Sequence, residues 1–156
     1  MTSAPGAGLA EPVYLDTSAL VKLFVAEPES DSLNQALVGA EDVLVSDLTL
    51  TEMASALGRR TREGAVTPLA ARRLYQEAVK LAGSCRHVEL TPPVHRRAER
   101  LLLASRSVPL RALDALHIAL ALSAEAATLV TYDPRLRTAA AAHALFTAPE
   151  QDMGDR

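Results

Sequence analysis

Four carboxylates stand out by the company they keep. Asp16 ends the apolar run Val13-Tyr14-Leu15 and is followed by Thr17 and Ser18. Glu52 lies within LTLTEMASAL, Asp114 within LRALDALHIALAL, and Asp133 just after the β-favouring stretch TLVTY. A carboxylate set among aliphatic side chains is costly unless it is paired, hydrogen-bonded or bound to a cation. Four of them gathered without a cation would repel, and some would take up protons. A divalent cation removes both costs, and oxygen-only ligands favour the hard ions Mg²⁺ or Mn²⁺ over zinc. Each acid also has a plainer use. Asp16 before Thr17-Ser18 and Asp133 before Pro134 suit helix caps. Asp114 in a first turn suits the helix dipole, and Glu52 can pair with a nearby arginine. Capping accounts for single acids more readily than for the four together.

The acids can act together only if the elements converge. Residues 13–15 and 43–45 read as short buried strands, 87–90 as a strand with alternation, and 128–131 as another. Residues 18–26 read as a helix ended by Glu27-Pro28, and 29–38 as a helix closed by Gly39. Ser46 or Asp47 caps a helix to about residue 62, with Gly64 beyond. Thr67-Pro68 opens a helix that Gly83 closes, and Thr91-Pro92 opens one to residue 104. Pro109 breaks the chain before a helix over 112–124, Asp133-Pro134 opens a last short helix, and 144–147 reads as an edge strand. Short strands alternating with helices indicate an α/β domain with a parallel sheet. Ligands of such sheets bind outside the carboxyl ends of the strands. Asp16 and Asp133 follow strands, Glu52 rides the helix launched from the 43–45 strand, and Asp114 opens the helix after Pro109. One rim can collect all four.

Composition narrows the field. The 156 residues, 49% hydrophobic and 22% charged, suit one soluble domain with a real core. We expect a domain over 13–148, a flexible N-terminal segment over 1–12 and a loose tail over 149–156. Cys85 is the single cysteine, which excludes an internal disulfide framework and fits a reducing compartment. No secretory signal and no membrane-length apolar run is seen, so a cytoplasmic location is expected. Residues 59–111 carry 12 Lys/Arg against 4 Asp/Glu, whereas the whole chain has a net charge of −3. That basic middle reads as solvated helix faces, or as a phosphate-binding surface beside a metal site. Its arginines 59, 60, 62, 72, 73, 96, 97 and 100 lie on helices that should flank the rim. Aromatics are only 3%, so nucleic-acid bases would find few stacking partners beyond Tyr14, Tyr75 and Tyr132. A phosphorylated receiver-like domain is disfavoured, since neither Lys22 nor Lys80 follows a late strand.

The segments VYLDTSAL, VSDLTLTEMASAL, LRALDALHIALAL and TLVTYD, in this order over residues 13–146, resemble the PIN domain family. More narrowly they resemble VapC-type toxins of bacterial toxin–antitoxin pairs. The resemblance implies a three-layer α/β/α domain and a metal-dependent endoribonuclease. Asp16, Glu52, Asp114 and Asp133 match the family's acidic quartet. It implies Mg²⁺ or Mn²⁺ held mainly by Asp16 and Asp114, with Asp133 and Glu52 contributing directly or through waters. Thr131 matches a hydroxyl position beside the last acid and equally suits a strand end. Thr17 and Ser18 can orient Asp16, although helix capping explains at least one of them more simply. Water, not a 2′-hydroxyl, would attack the RNA, leaving a 5′-phosphate and a 3′-hydroxyl. A homodimer and a VapB-type antitoxin are implied as partners, the antitoxin laying a helix in an apolar groove near residues 20–24 and 33–38. His117, on the same helix face as Asp114, reads as a packed histidine before it reads as a ligand or base. The rival within the fold is a non-catalytic PIN-like binding module, against which the complete quartet argues.

Overall fold

Val13, Tyr14 and Leu15 form β1 (Val13–Leu15), and all three side chains are buried. A strand that is apolar at every position has to be covered on both faces. The computed structural model, which describes residues 8–149, shows how this is done. β1 is the middle strand of a five-stranded sheet, with β2 (Val43–Ser46) and β3 (Arg86–Val88) on one side. β4 (Thr128–Val130) and β5 (Phe146–Ala148) lie on the other, in the order β3-β2-β1-β4-β5. Every neighbouring pair is parallel, with Tyr14 opposite Leu44 and Leu129.

The helices are α1 (Thr17–Phe24), α2 (Ser30–Leu37), α3 (Asp47–Arg62), α4 (Pro68–Ser84), α5 (Pro92–Ala104), α6 (Ala112–Ser123) and α7 (Pro134–Ala141). The chain steps outward from β1 to β3, then crosses back to β4 and on to β5. Right-handed crossovers running in opposite directions put their helices on opposite faces. Alternate strand residues follow that division. Leu15, Val45 and Val130 pack with Ala19, Leu33 and Ala82 of α1, α2 and α4. Tyr14, Leu44 and Leu129 pack with Val94, Ile118 and Leu136 of α5, α6 and α7. The fold is the expected three-layer α/β/α arrangement.

Several boundaries differ from the sequence reading. Gly39 and Gly64 end their helices with φ of +81° and +74°, the left-handed turn that glycine adopts without strain. Gly83 does not end α4. A Cβ there would meet nothing within 4 Å, so the residue is ordinary helix surface, and the helix stops where Cys85 turns extended to enter β3. β3 ends at Val88 instead of residue 90. β5 starts at Phe146 because Ala144 takes φ +61° and interrupts any earlier extension.

Within the N-terminal segment, the carbonyl of Ala10 accepts from the Thr128 hydroxyl at 2.7 Å. The Glu11 carboxylate accepts the N–H groups of Glu41 and Asp42 at 3.0 and 2.9 Å. Residues 10–12 are thus tied to the chain around β2 and β4, while residues 1–7 and 150–156 lie outside the described residues. Among the described residues no helix is long and apolar enough to cross a membrane.

Candidate active site

Strand order reverses between β1 and β4, and the crevice beyond their carboxyl ends is the favoured place for a ligand in an open α/β sheet. A cleft of about 680 Å³ opens there. Its lining includes all four acids, from four different elements: Asp16, Glu52, Asp114 and Asp133.

Asp16 caps α1 and also lines the cleft. One oxygen accepts the Ala19 N–H at 2.9 Å. The Ser18 hydroxyl donates to the carboxylate at 2.7 Å, and the Thr131 hydroxyl donates to its other oxygen at 2.5 Å. Those hydroxyls in turn accept the N–H groups of Tyr132 and Asp133, at 2.8 and 3.0 Å. The end of β4 is thereby latched to the end of β1 through the carboxylate. Asp16 is only 3% exposed. Burial pushes its carboxyl above the usual range, against the opposing pull of His117, Thr131, Ala19 and Ser18.

Glu52 sits on the inward face of α3. Its Oε1 accepts from the Thr17 hydroxyl at 3.0 Å and lies 2.5 Å from Nε2 of His117. Thr17 therefore orients Glu52, not Asp16 as the sequence suggested. His117 is packed, as expected, at 4% exposure. It is also the link between Glu52 and the core, because its Nδ1 lies 2.8 Å from the Tyr14 hydroxyl. Tyr14 reaches Ser46 at 2.8 Å, and Thr49 beside it donates to the Leu15 carbonyl at 3.1 Å. Ser46, Tyr14, His117 and Glu52 thus form one continuous hydrogen-bonded chain from the core to the cleft. Burial drives the Glu52 carboxyl upward, but the His117 hydrogen bond and charge, with Thr17 and Arg111, hold it below its ordinary value.

Asp114 opens α6 and is 6% exposed, while Asp133 caps α7 by accepting the Arg135 N–H at 2.8 Å. One side chain joins them. Nε of Arg111 lies 3.0 Å from Asp114, and its Nη2 lies 3.0 Å from Asp133. The sequence reading counted Arg111 only as one charge of the basic middle. The i, i+3 spacing to Asp114 was the available signal.

The arginines sort as well. Arg59 and Arg60 line the cleft beyond Glu52, with Lys22 and Glu27. Arg62, Arg72, Arg73, Arg96, Arg97 and Arg100 are not part of that lining, and Arg96 is paired with Glu99. Lys22 is bound to Glu27 and Glu29 at 2.7 and 2.8 Å and stands 4.6 Å above the Tyr132 ring.

Among the described residues, no three His, Cys, Asp or Glu side chains are placed to hold one ion as they stand. Glu52 is engaged by His117, and Asp114 and Asp133 by Arg111. The donor set nonetheless suits a hard divalent ion, since it is all oxygen. A guanidinium already bridges two of the acids, which marks where positive charge is favoured.

The model of the PIN domain family matches residues 13–142. The chain belongs to the PIN domain family. Its similarity within that family runs to VapC ribonucleases. Ribonuclease VapC46 of Mycobacterium tuberculosis is 34% identical over 136 residues, which span 82% of this chain and 89% of that protein. The crystal structure of VapC20 from the same species, described as a sarcin–ricin-loop-cleaving toxin, matches with a TM-score of 0.66 at 19% identity, over 81% of this chain and 94% of the other. A toxin–antitoxin complex from Klebsiella pneumoniae matches with a TM-score of 0.59 at 15% identity, over 80% of this chain and 89% of the other. At those identities the two structures establish the shared fold.

Proposed function

We propose that this protein is a VapC-type toxin, an endoribonuclease dependent on Mg²⁺ or Mn²⁺. The observation that carries the reading is the convergence of Asp16, Glu52, Asp114 and Asp133 on one cleft at the strand-order switch. Similarity to a named ribonuclease over most of both chains supports the same conclusion. Asp16, Asp114 and Asp133 would hold the ion, with Glu52 beside them. Bound there, the ion supplies a Lewis acid that makes water nucleophilic near neutral pH and offsets charge on the phosphate.

The chain's own residues do the rest. Ser18 and Thr131 fix the Asp16 carboxylate in one orientation. His117 and Thr17 both hold Oε1 of Glu52, leaving Oε2 as the atom able to take a proton from an attacking water. Arg59 and Arg60 line the same cleft, Arg60 paired with Glu27, and from there would contact the RNA backbone. Attack by water leaves a 5′-phosphate and a 3′-hydroxyl. The protein acts in the cytoplasm as a homodimer restrained by a VapB-type antitoxin. A second, apolar groove of about 690 Å³, lined by Leu23, Phe24, Leu37, Val38 and Leu81, suits the antitoxin helix.

The test uses purified protein free of antitoxin, incubated with total bacterial RNA and Mg²⁺ or Mn²⁺, with and without EDTA, beside Asp114→Asn. Discrete fragments that require the metal and vanish in the folded variant are expected. Fragments that persist in EDTA or in the variant would refute the metal-dependent site. Absence of both cleavage and metal binding would move the binding-module reading ahead.

A further inference from the structure

Arg111 stands immediately before α6, with its side chain 55% exposed, and touches two of the four acids. Its Nε meets Oδ2 of Asp114 at 3.0 Å, and its Nη2 meets Oδ2 of Asp133 at 3.0 Å. The same Nη2 also lies 3.5 Å from Oδ1 of Asp114. Asp114 is almost enclosed, with a side chain 8% exposed, so two carboxylates are held close together in partly dry surroundings. Their repulsion is relieved by one positive charge between them. A divalent ion brings twice that charge to the same oxygens. The planar fork spans Oδ2 of Asp114 and Oδ2 of Asp133, so an ion held between these two carboxylates competes with it for the same oxygens. Arg111 has room to yield, because its half-exposed side chain can swing into water.

We infer that Arg111 is an internal counter-cation that occupies the metal-binding face of Asp114 and Asp133, and that it must swing out for a divalent ion to load. This rests on the metal-dependent reading above. The arrangement keeps the acids compatible with a folded, metal-free protein, and it lowers apparent metal affinity by competition. A purely structural ion pair would do the first without the second.

The test is a Mn²⁺ titration without RNA, followed by electron paramagnetic resonance of the free ion, on wild type, Arg111→Ala and Arg111→Lys. Exchange predicts that Arg111→Ala binds Mn²⁺ about 3- to 10-fold more tightly, the scale of two partly exposed ion pairs. Arg111→Lys falls between, because an ammonium keeps the charge but cannot fork across both carboxylates. In wild type, the Nε–Hε resonance of Arg111, identified by its loss in Arg111→Ala, shifts on adding Mg²⁺. Equal affinities, or a resonance unmoved at saturating Mg²⁺, overturn the exchange and leave the metal site standing. No Mn²⁺ binding by wild type or Arg111→Ala overturns both.

Discussion

Removing one oxygen atom, in Tyr14→Phe, tests whether the chain from the core to Glu52 is a working part of the site. Tyr14 is fully buried, and its ring packs edge-on against His117 with centroids 5.8 Å apart. Phenylalanine keeps that packing. What goes is the hydroxyl that meets Ser46 and His117 Nδ1, both at 2.8 Å. Ser46 keeps a partner, because Thr49 Oγ1 lies 3.0 Å away. His117 Nδ1 loses its hydroxyl partner in a dry interior, at 4% exposure. A lost hydrogen bond costs about 0.5–1.5 kcal/mol, and stranding a buried polar atom costs about 1–3 kcal/mol. The two overlap, so the expected loss is about 1.5–3 kcal/mol, or about 3–12 °C in Tm for a domain of this size. Urea unfolding of the metal-free protein measures it. Because His117 then loses its second anchor, Glu52 is less well fixed, and turnover should fall with RNA affinity nearly unchanged. A stability change under about 0.5 kcal/mol, with unaltered turnover, would refute the chain as a positioning device.

The other expectations concern the edges of the same cleft. Thr131→Val keeps shape but removes the donor to Asp16 and the acceptor of the Asp133 N–H, so a loss of about 1–3 kcal/mol in chemical unfolding is expected. The Asp16 carboxyl should rise further, and Mn²⁺ should bind more weakly; unchanged binding would show that the hydroxyl does not serve the carboxylate. Glu27 is held below its ordinary value of 4.5 by the Lys22 hydrogen bond and by Arg60, against the opposing effect of burial. Its folded pKa lies below the unfolded one, so its stabilisation is present above pH 4.5 and is lost as pH falls through the depressed value. Glu27→Gln should flatten the acid limb of a stability–pH curve, and an unaltered limb would exclude the effect. Arg59→Ala should lower the slope of log affinity for single-stranded RNA against log salt by about 0.7 if it neutralises one phosphate. A slope unchanged in fluorescence anisotropy would remove Arg59 from the RNA path.

The acids were legible because a carboxylate in an apolar helix face is expensive whatever the fold, so Glu52 and Asp114 announce themselves. Asp16 and Asp133 were legible as caps and as candidate site residues, and the structure uses them as caps while bringing both to the cleft. The parallel sheet followed from short strands alternating with helices. His117 and Glu52 were harder, because they are 65 residues apart and their meeting depends on how α3 and α6 approach across β1. No local pattern carries that. Thr17 was assigned to its sequence neighbour Asp16, but its first-turn position on α1 turns the hydroxyl toward α3 instead. Gly83 was misread because glycine is equally at home at a helix end and on a helix surface. Only the backbone angle separates the two.

The partners of the four acids differ in kind, and that difference orders what a cation would have to displace. Asp16 is held by neutral donors alone in direct contact: two hydroxyls and one N–H. It is also the acid whose carboxyl burial pushes upward. Glu52 has an imidazole and a hydroxyl, while Asp114 and Asp133 share a full positive charge on a side chain that is half in water. On the proposed metal-dependent reading, a divalent ion would meet no charged competitor in direct contact with Asp16 and would offset the burial that pushes this carboxyl upward. At Asp114 and Asp133 it would first have to displace Arg111, as inferred above. On that reading the four acids are held in place before loading, and only at the end of β1 are the direct partners all uncharged. That proposal would give a physical reason for a carboxylate, instead of a cheaper turn residue, to follow the buried strand Val13–Leu15.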